Sequence, residues 1–282
     1  MSLSVASESD IDAVGPAALT AGGDLDLRGM IWLHGGALAL TAGELDAQSS
    51  ALVHGAGAIT ARADHIDWRA DVAASSGFDA SADDDLELSS DAALSLAGDL
   101  ALAAAGDLDL RAAITLAGGL ATVVADELTS ASNASIVGAA ALRVDAAEID
   151  WRGIVDRCDL VDLRADTLSL ASSSAARHAQ EVSLVADRVD WRGIVEAGGL
   201  VDVDAGALTM SSSGRLLSSG DVYVRVGGLL DASGRVQFNG AVAFVTGSWK
   251  LGGSHDFSAN ASCTISGLRQ SSSRSPRGCV VR

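Results

Sequence analysis

The sequence predicts an all-β fold, a right-handed parallel β-helix (β-solenoid) of about 11–12 coils of about 20 residues each. Three observations carry that prediction. An aliphatic anchor recurs at Leu25, Leu45, Ile66, Leu86, Leu108, Leu128, Ile149, Leu168, Val189, Leu208 and Leu230, at intervals of 19 to 22 residues, with Trp249 as a twelfth. A second apolar column follows two positions later, at Leu27, Ala47, Trp68, Leu88, Leu110, Trp151, Leu170, Trp191, Met210 and Ala232, interrupted by Ser130. Apolar residues at i and i+2 belong to one face of a strand. The third observation is composition: 31 glycines, 2 prolines and 4% aromatics leave a core filled by Leu, Val, Ile and Ala.

The elements of one unit can be justified in chain order. Two residues before each anchor stands Gly23, Gly43, Asp64, Asp84, Gly106, Asp126, Ala147, Asp166, Asp187, Gly206 or Gly228, mostly residue types suited to a tight corner. The anchor strand follows. A later apolar pair, as in Leu38 and Leu40, Leu142 and Val144, Val161 and Leu163, Val182 and Leu184, or Val201 and Val203, marks another strand. Two or three strands per unit are too closely spaced for a helical crossover, so each coil stacks on the next with strands parallel. Residues 1–21 lack the repeat and are expected to form an N-terminal cap or linker. The solenoid is expected over 22–265, and the Ser- and Arg-rich stretch 266–282 as a disordered tail.

A longer period lies over the first. Asp26 and Arg28, Asp67 and Arg69, Asp109 and Arg111, Asp150 and Arg152, and Asp190 and Arg192 place Asp-x-Arg on alternate coils, so the repeating unit is a pair of coils. The coils between carry Gln48, Ser89, Ala131, Ala171 and Ser211 in the Arg column, several running into serines. Stacked strands lie about 4.8 Å apart, and skipping a coil keeps like charges from facing each other. The ladder is expected on the outside, as a solvated charge row or as a face for lateral interaction.

Composition and motifs exclude several function classes. A formal net charge of -18 opposes nucleic-acid binding, which needs clustered Lys and Arg. No apolar run of roughly 18 residues predicts membrane insertion, and the opening MSLSVASESD shows no export signal. The chain has one lysine, Lys250, and no Gly-x-Ser-x-Gly elbow or Cys/His arrangement, so it is not expected to be an enzyme. Cys158, Cys263 and Cys279 have no CxxC spacing and leave the redox compartment open. His34 and His54, 20 residues apart, are expected to stack in adjacent coils, without a third ligand for a metal. Asp79, Asp83, Asp84 and Asp85 read as a solvated turn, since no calcium-loop spacing accompanies them. His65, His178 and His255 form no constellation in the sequence, and no cofactor or metal is expected.

The stretch from Ala186 to Val236, ADRVDWRGIVEAGGLVDVDAGALTMSSSGRLLSSGDVYVRVGGLLDASGRV, resembles the haemagglutinin repeats of filamentous haemagglutinin-type adhesins, as do residues 22–61. The resemblance covers about residues 22–250 and departs in one turn, where Ile149 to Gly153 reads Ile-Asp-Trp-Arg-Gly. It implies a structural stalk or filament segment of a bacterial cell-surface or secreted adhesin-like protein exported by two-partner secretion. Two alternatives follow from the repeat alone: a self-polymerising bactofilin-like scaffold in the cytoplasm, and a carbohydrate-binding β-solenoid. Expected partners are further copies of the chain, end to end or side by side, or a host or matrix glycan or protein.

Overall fold

The computed structural model describes residues 1–7, 9–55, 57–252, 255–257, 263–269 and 279–281. Among them the regular elements are all strands, paired in parallel as a β-solenoid with coils of about 21 residues. The chain divides into two compact units, Met1–Val144 and Asp145–Arg282.

In the first unit the early coils consist of three short strands, such as Asp24–Leu27, Met30–Leu33 and Leu38–Thr41, while later ones run two strands together, as in Asp71–Ala82, Ala93–Ala104 and Leu120–Ser130. Each lies in register on its counterpart one coil later. The predicted anchors pair residue for residue, Leu25 with Leu45, Leu45 with Ile66, Ile66 with Leu86, Leu86 with Leu108 and Leu108 with Leu128, and all are buried. The other two strands add Ile31, Leu33, Leu38 and Leu40 to the same interior.

In the second unit the last strand of one coil and the first of the next run on as one long strand, as in Glu181–Trp191, Val201–Met210 and Val222–Ala232. The corner between them survives as a slip in register, for example between Ala205 and Leu208 and between Val226 and Leu229. The anchor column continues through Leu168, Val189, Leu208, Leu230 and Trp249, which confirms Trp249 as an anchor.

Stacking begins ahead of residue 22. Leu3–Val5, Asp10–Ala13 and Ala17–Thr20 pair with the three strands of the following coil, Leu3 opposite Leu25, Asp10 opposite Met30 and Ala17 opposite Leu38. Ile11, Ala13 and Leu19 of this winding are only half-buried, which is why its polar and small residues do not display the repeat. At the other end the strand Cys263–Arg269 pairs with Val242–Leu251, and Cys263 faces Cys279 across a strand pair. Residues 258–262 and 270–278 lie outside the described residues.

The tryptophans point inward as the alternation requires. Trp68, Trp151 and Trp191 are each at most 3% exposed. A buried indole N–H needs an acceptor. It finds one two residues along its own chain: Trp68 Nε1 donates to the Ala70 carbonyl at 2.8 Å, Trp151 to Gly153 at 3.2 Å and Trp191 to Gly193 at 3.0 Å. The backbone after each Trp must therefore turn at once. At Gly193 a Cβ would sit 2.0 Å from Ser174 Oγ and 2.8 Å from its carbonyl oxygen, so this corner requires glycine, whereas the corner after Trp68 accommodates Ala70.

Trp191→Phe is expected to keep most of the packing and lose only the indole bond to the Gly193 carbonyl, which retains the Arg215 N–H at 2.9 Å, destabilising the chain by about 0.5–1.5 kcal/mol. Trp191→Ala, which also opens a cavity, is expected to lose about 3–5 kcal/mol. Denaturant unfolding followed by circular dichroism distinguishes the two; equal and negligible shifts would place Trp191 outside the core.

Candidate functional site: an aspartate and arginine ladder on alternating corners

The predicted ladder projects outward in both units. In the first, Arg28 Nε donates to Asp26 Oδ1 at 3.0 Å, Arg69 Nε reaches both carboxylate oxygens of Asp67 at 3.1 and 3.0 Å, and Arg111 Nε donates to Asp109 Oδ2 at 2.9 Å. In the second, Arg152 Nε and Arg192 Nε each donate at 3.0 Å to Oδ2 of Asp150 and Asp190. The guanidiniums are about half exposed. Those of Arg28, Arg69, Arg111 and Arg192 hold their protons more tightly than usual, first through the hydrogen bond to the neighbouring aspartate and then through its charge.

The acids form a longer row than the Asp-x-Arg pattern reveals. Asp26, Asp46, Asp67, Glu87 and Asp109 stand opposite one another on five successive strands. The intervening Asp46 takes a hydrogen bond from Gln48 instead of an arginine, and Glu87 lies 3.5 Å from Arg111 Nη1 of the following coil. Arg111 thus belongs to its own aspartate and also offsets the acid of a coil that has no arginine. Burial first, and then the charge of Asp67, hold the Asp46 carboxyl above its ordinary value.

The two-coil period has a backbone cause that the sequence reading missed. Coils with Asp-x-Arg turn tightly: the strand ending at Leu27, Trp68, Leu110, Trp151 or Trp191 is followed three residues later by the next strand, at Met30, Asp71, Ala113, Ile154 or Ile194. The intervening coils take five residues, closing a turn with a backbone bond such as Ala51 N–H to the Gln48 carbonyl at 2.9 Å or Gly214 N–H to Ser211 at 3.0 Å. Serines of these wide turns donate to the carbonyl of the arginine one coil earlier: Ser50 to Arg28 at 3.0 Å, Ser173 to Arg152 at 3.1 Å and Ser213 to Arg192 at 3.1 Å. The serine rows and the arginine ladder are two halves of one corner.

That alternation also corrects the expected histidine pair. The wide turn displaces the second strand of its coil by two residues, so His54 stands opposite Trp32 and not His34. Its ring lies 4.5 Å from that of Trp32, while His34 Nε2 donates to Asp12 Oδ1 at 2.9 Å. The acidic turn is likewise rearranged. Asp79 lies within the strand Asp71–Ala82, apart from the turn, whereas His65, treated as isolated, meets Asp84 and Asp85 with ligand atoms within 4.8 Å of one another. His65 Nε2 is 3.4 Å from Asp84 Oδ2, and Asp85 Oδ1 already accepts from the Asp107 N–H at 2.9 Å. All three are exposed, which suits a surface corner better than the closed four-ligand shell of a structural metal.

The acid row generates a pH prediction. Because the folded chain protonates Asp46 more readily than the unfolded chain, ionising it destabilises the fold. That effect is absent below the unfolded value of about 3.9 and complete once pH exceeds the raised folded value. Asp46→Asn is expected to raise the unfolding free energy at pH 7 by an amount on the order of 0.2–1 kcal/mol, before screening by salt, read from denaturant unfolding. The gain should vanish at pH 3; a loss of stability at pH 7 would contradict it. Compared with known proteins, the chain matches no family model, no curated protein and no solved structure.

Proposed function

We propose that the chain is a structural segment, a stalk or filament subunit, of a bacterial cell-surface or secreted adhesin-like protein with haemagglutinin-type repeats. The right-handed winding and the export route of that class belong to the same reading. One observation carries it: the outward side chains of the ladder are committed to the stack itself. Aspartates hold the arginines of their own strands, and turn serines hold the arginine carbonyls of the preceding coil. A face so occupied serves to keep coils in register.

A disulfide at Cys263 supports an oxidising location and weighs against the cytoplasmic scaffold. Cys158, by contrast, is a buried cysteine that keeps its thiol, which donates to the Asp156 carbonyl. Alkylation of the denatured, unreduced protein is therefore expected to label Cys158 alone by mass spectrometry. Antibody against the chain is expected to stain intact, unpermeabilised source cells. Labelling of all three cysteines, with staining only after permeabilisation, would favour the intracellular scaffold instead.

A further inference from the structure

The second unit breaks the backbone rule of the first at one corner. After the second strand of a coil the chain passes through the left-handed region, and in the first unit glycine takes that place, with φ of 83° at Gly35, 69° at Gly55, 93° at Gly118 and 79° at Gly138. In the second unit Arg157 and His178 hold this conformation, both at φ 53°. Side chains are disfavoured there, and residues kept in such conformations cluster at ligand sites. Both converge on Asp156: His178 Nδ1 donates to Oδ1 at 2.7 Å and Arg157 Nε lies 3.4 Å from Oδ2. The His178 hydrogen bond is the first cause of a lowered Asp156 carboxyl.

His178 also sits in a β-bulge. Between the pairs Ala176–Val195 and Ala179–Ala197, two residues, Arg177 and His178, stand against the single Glu196. Bulges re-aim side chains at the edges of binding sites. Here the bulge borders an open groove of about 380 Å³ lined by His178, Gln180, Glu196, Leu217, Gln237 and Asn239. Arg235 Nη2 donates to Gln237 Oε1 at 3.1 Å and so fixes that amide in place. The volume falls within the roughly 300–1,000 Å³ of small-ligand sites.

The lining differs in kind from the charged ladder. A primary amide offers a donor and an acceptor side by side, which matches neighbouring hydroxyls on a sugar ring. Leu217, in register between Glu196 and Gln237, supplies an apolar surface for the ring's C–H face. The described lining contains no lysine or arginine and Glu196 adds a negative charge, while the neighbouring Arg235 is turned to the Gln237 amide, so the lining itself favours a neutral ligand over an anionic one. We propose that this groove binds a neutral oligosaccharide. The site goes beyond the structural reading above and does not depend on it.

The full chain should be titrated calorimetrically with cellotetraose, mannotetraose and chitotetraose, with a sulfated tetrasaccharide as the anionic comparison. At least one neutral sugar is expected to bind, and Gln237→Ala and His178→Gly are each expected to weaken it by at least about tenfold. His178→Gly places the residue most tolerant of this backbone, so its thermal midpoint is expected to be no lower than that of the parent. That variant separates loss of the site from loss of the fold. Failure of all three neutral sugars to bind, preference for the sulfated one, or unchanged affinity in both variants would overturn the proposal.

Discussion

Parallel, in-register stacking is the constraint on which everything else in this molecule rests. With successive strands about 4.8 Å apart, each side chain stands over its counterpart one coil away, so any choice at one position is a choice for a whole column. Apolar columns gain from this, since aliphatic side chains close over one another and large and small alternate, as where Trp68 lies between Ala47 and Leu88. Charged columns lose, and the surface is organised around limiting that loss.

The two units limit it differently. In the first, five acids follow one another from Asp26 to Asp109, with arginines on every second coil. In the second, the same row is interrupted by neutral or basic residues: Ser169 faces Asp190, Asp190 faces Thr209, Thr209 faces Asp231, and Asp231 faces Lys250. Lys250 Nζ reaches Asp231 Oδ2 at 2.8 Å, a cross-coil pair beside the Asp-x-Arg pairs that the second unit shares with the first. Interruption relieves repulsion directly, whereas the uninterrupted row relies on its cations; the bond from arginine to the adjacent acid is common to both units.

Much of this was legible in the sequence because a solenoid converts periodicity into contact. The anchors, the inward tryptophans and the outward Asp-x-Arg pairs all repeat, and the observed register joins them as the spacing implied. What escaped was anything that depends on the number of residues in a corner. A mean period of about 20 residues hides the alternation of tight and wide corners, and that difference is enough to move His54 from His34 onto Trp32. The first winding escaped for the opposite reason: its strands pair like the rest, but its residues are too polar and half-buried to show the pattern. The groove was invisible because it arises where the period slips at His178, and a search for repetition discards such irregularities.

The acid row itself is a stability concession that the stack tolerates. Asp46 and Asp109 each have one carboxylate oxygen bound and the other buried with no hydrogen-bond partner. An apolar residue there would avoid both the desolvation and the repulsion, but on an outward face it would extend the sheet's apolar surface. Long, flat, hydrophobic parallel strands invite pairing with other chains. Rows of charge held in place by arginine, glutamine and serine keep the outside of the coils from competing with the inside. The same reasoning gives the arginines their position: placed on every coil they would repel one another, and placed on none they would leave five carboxylates facing each other across neighbouring strands.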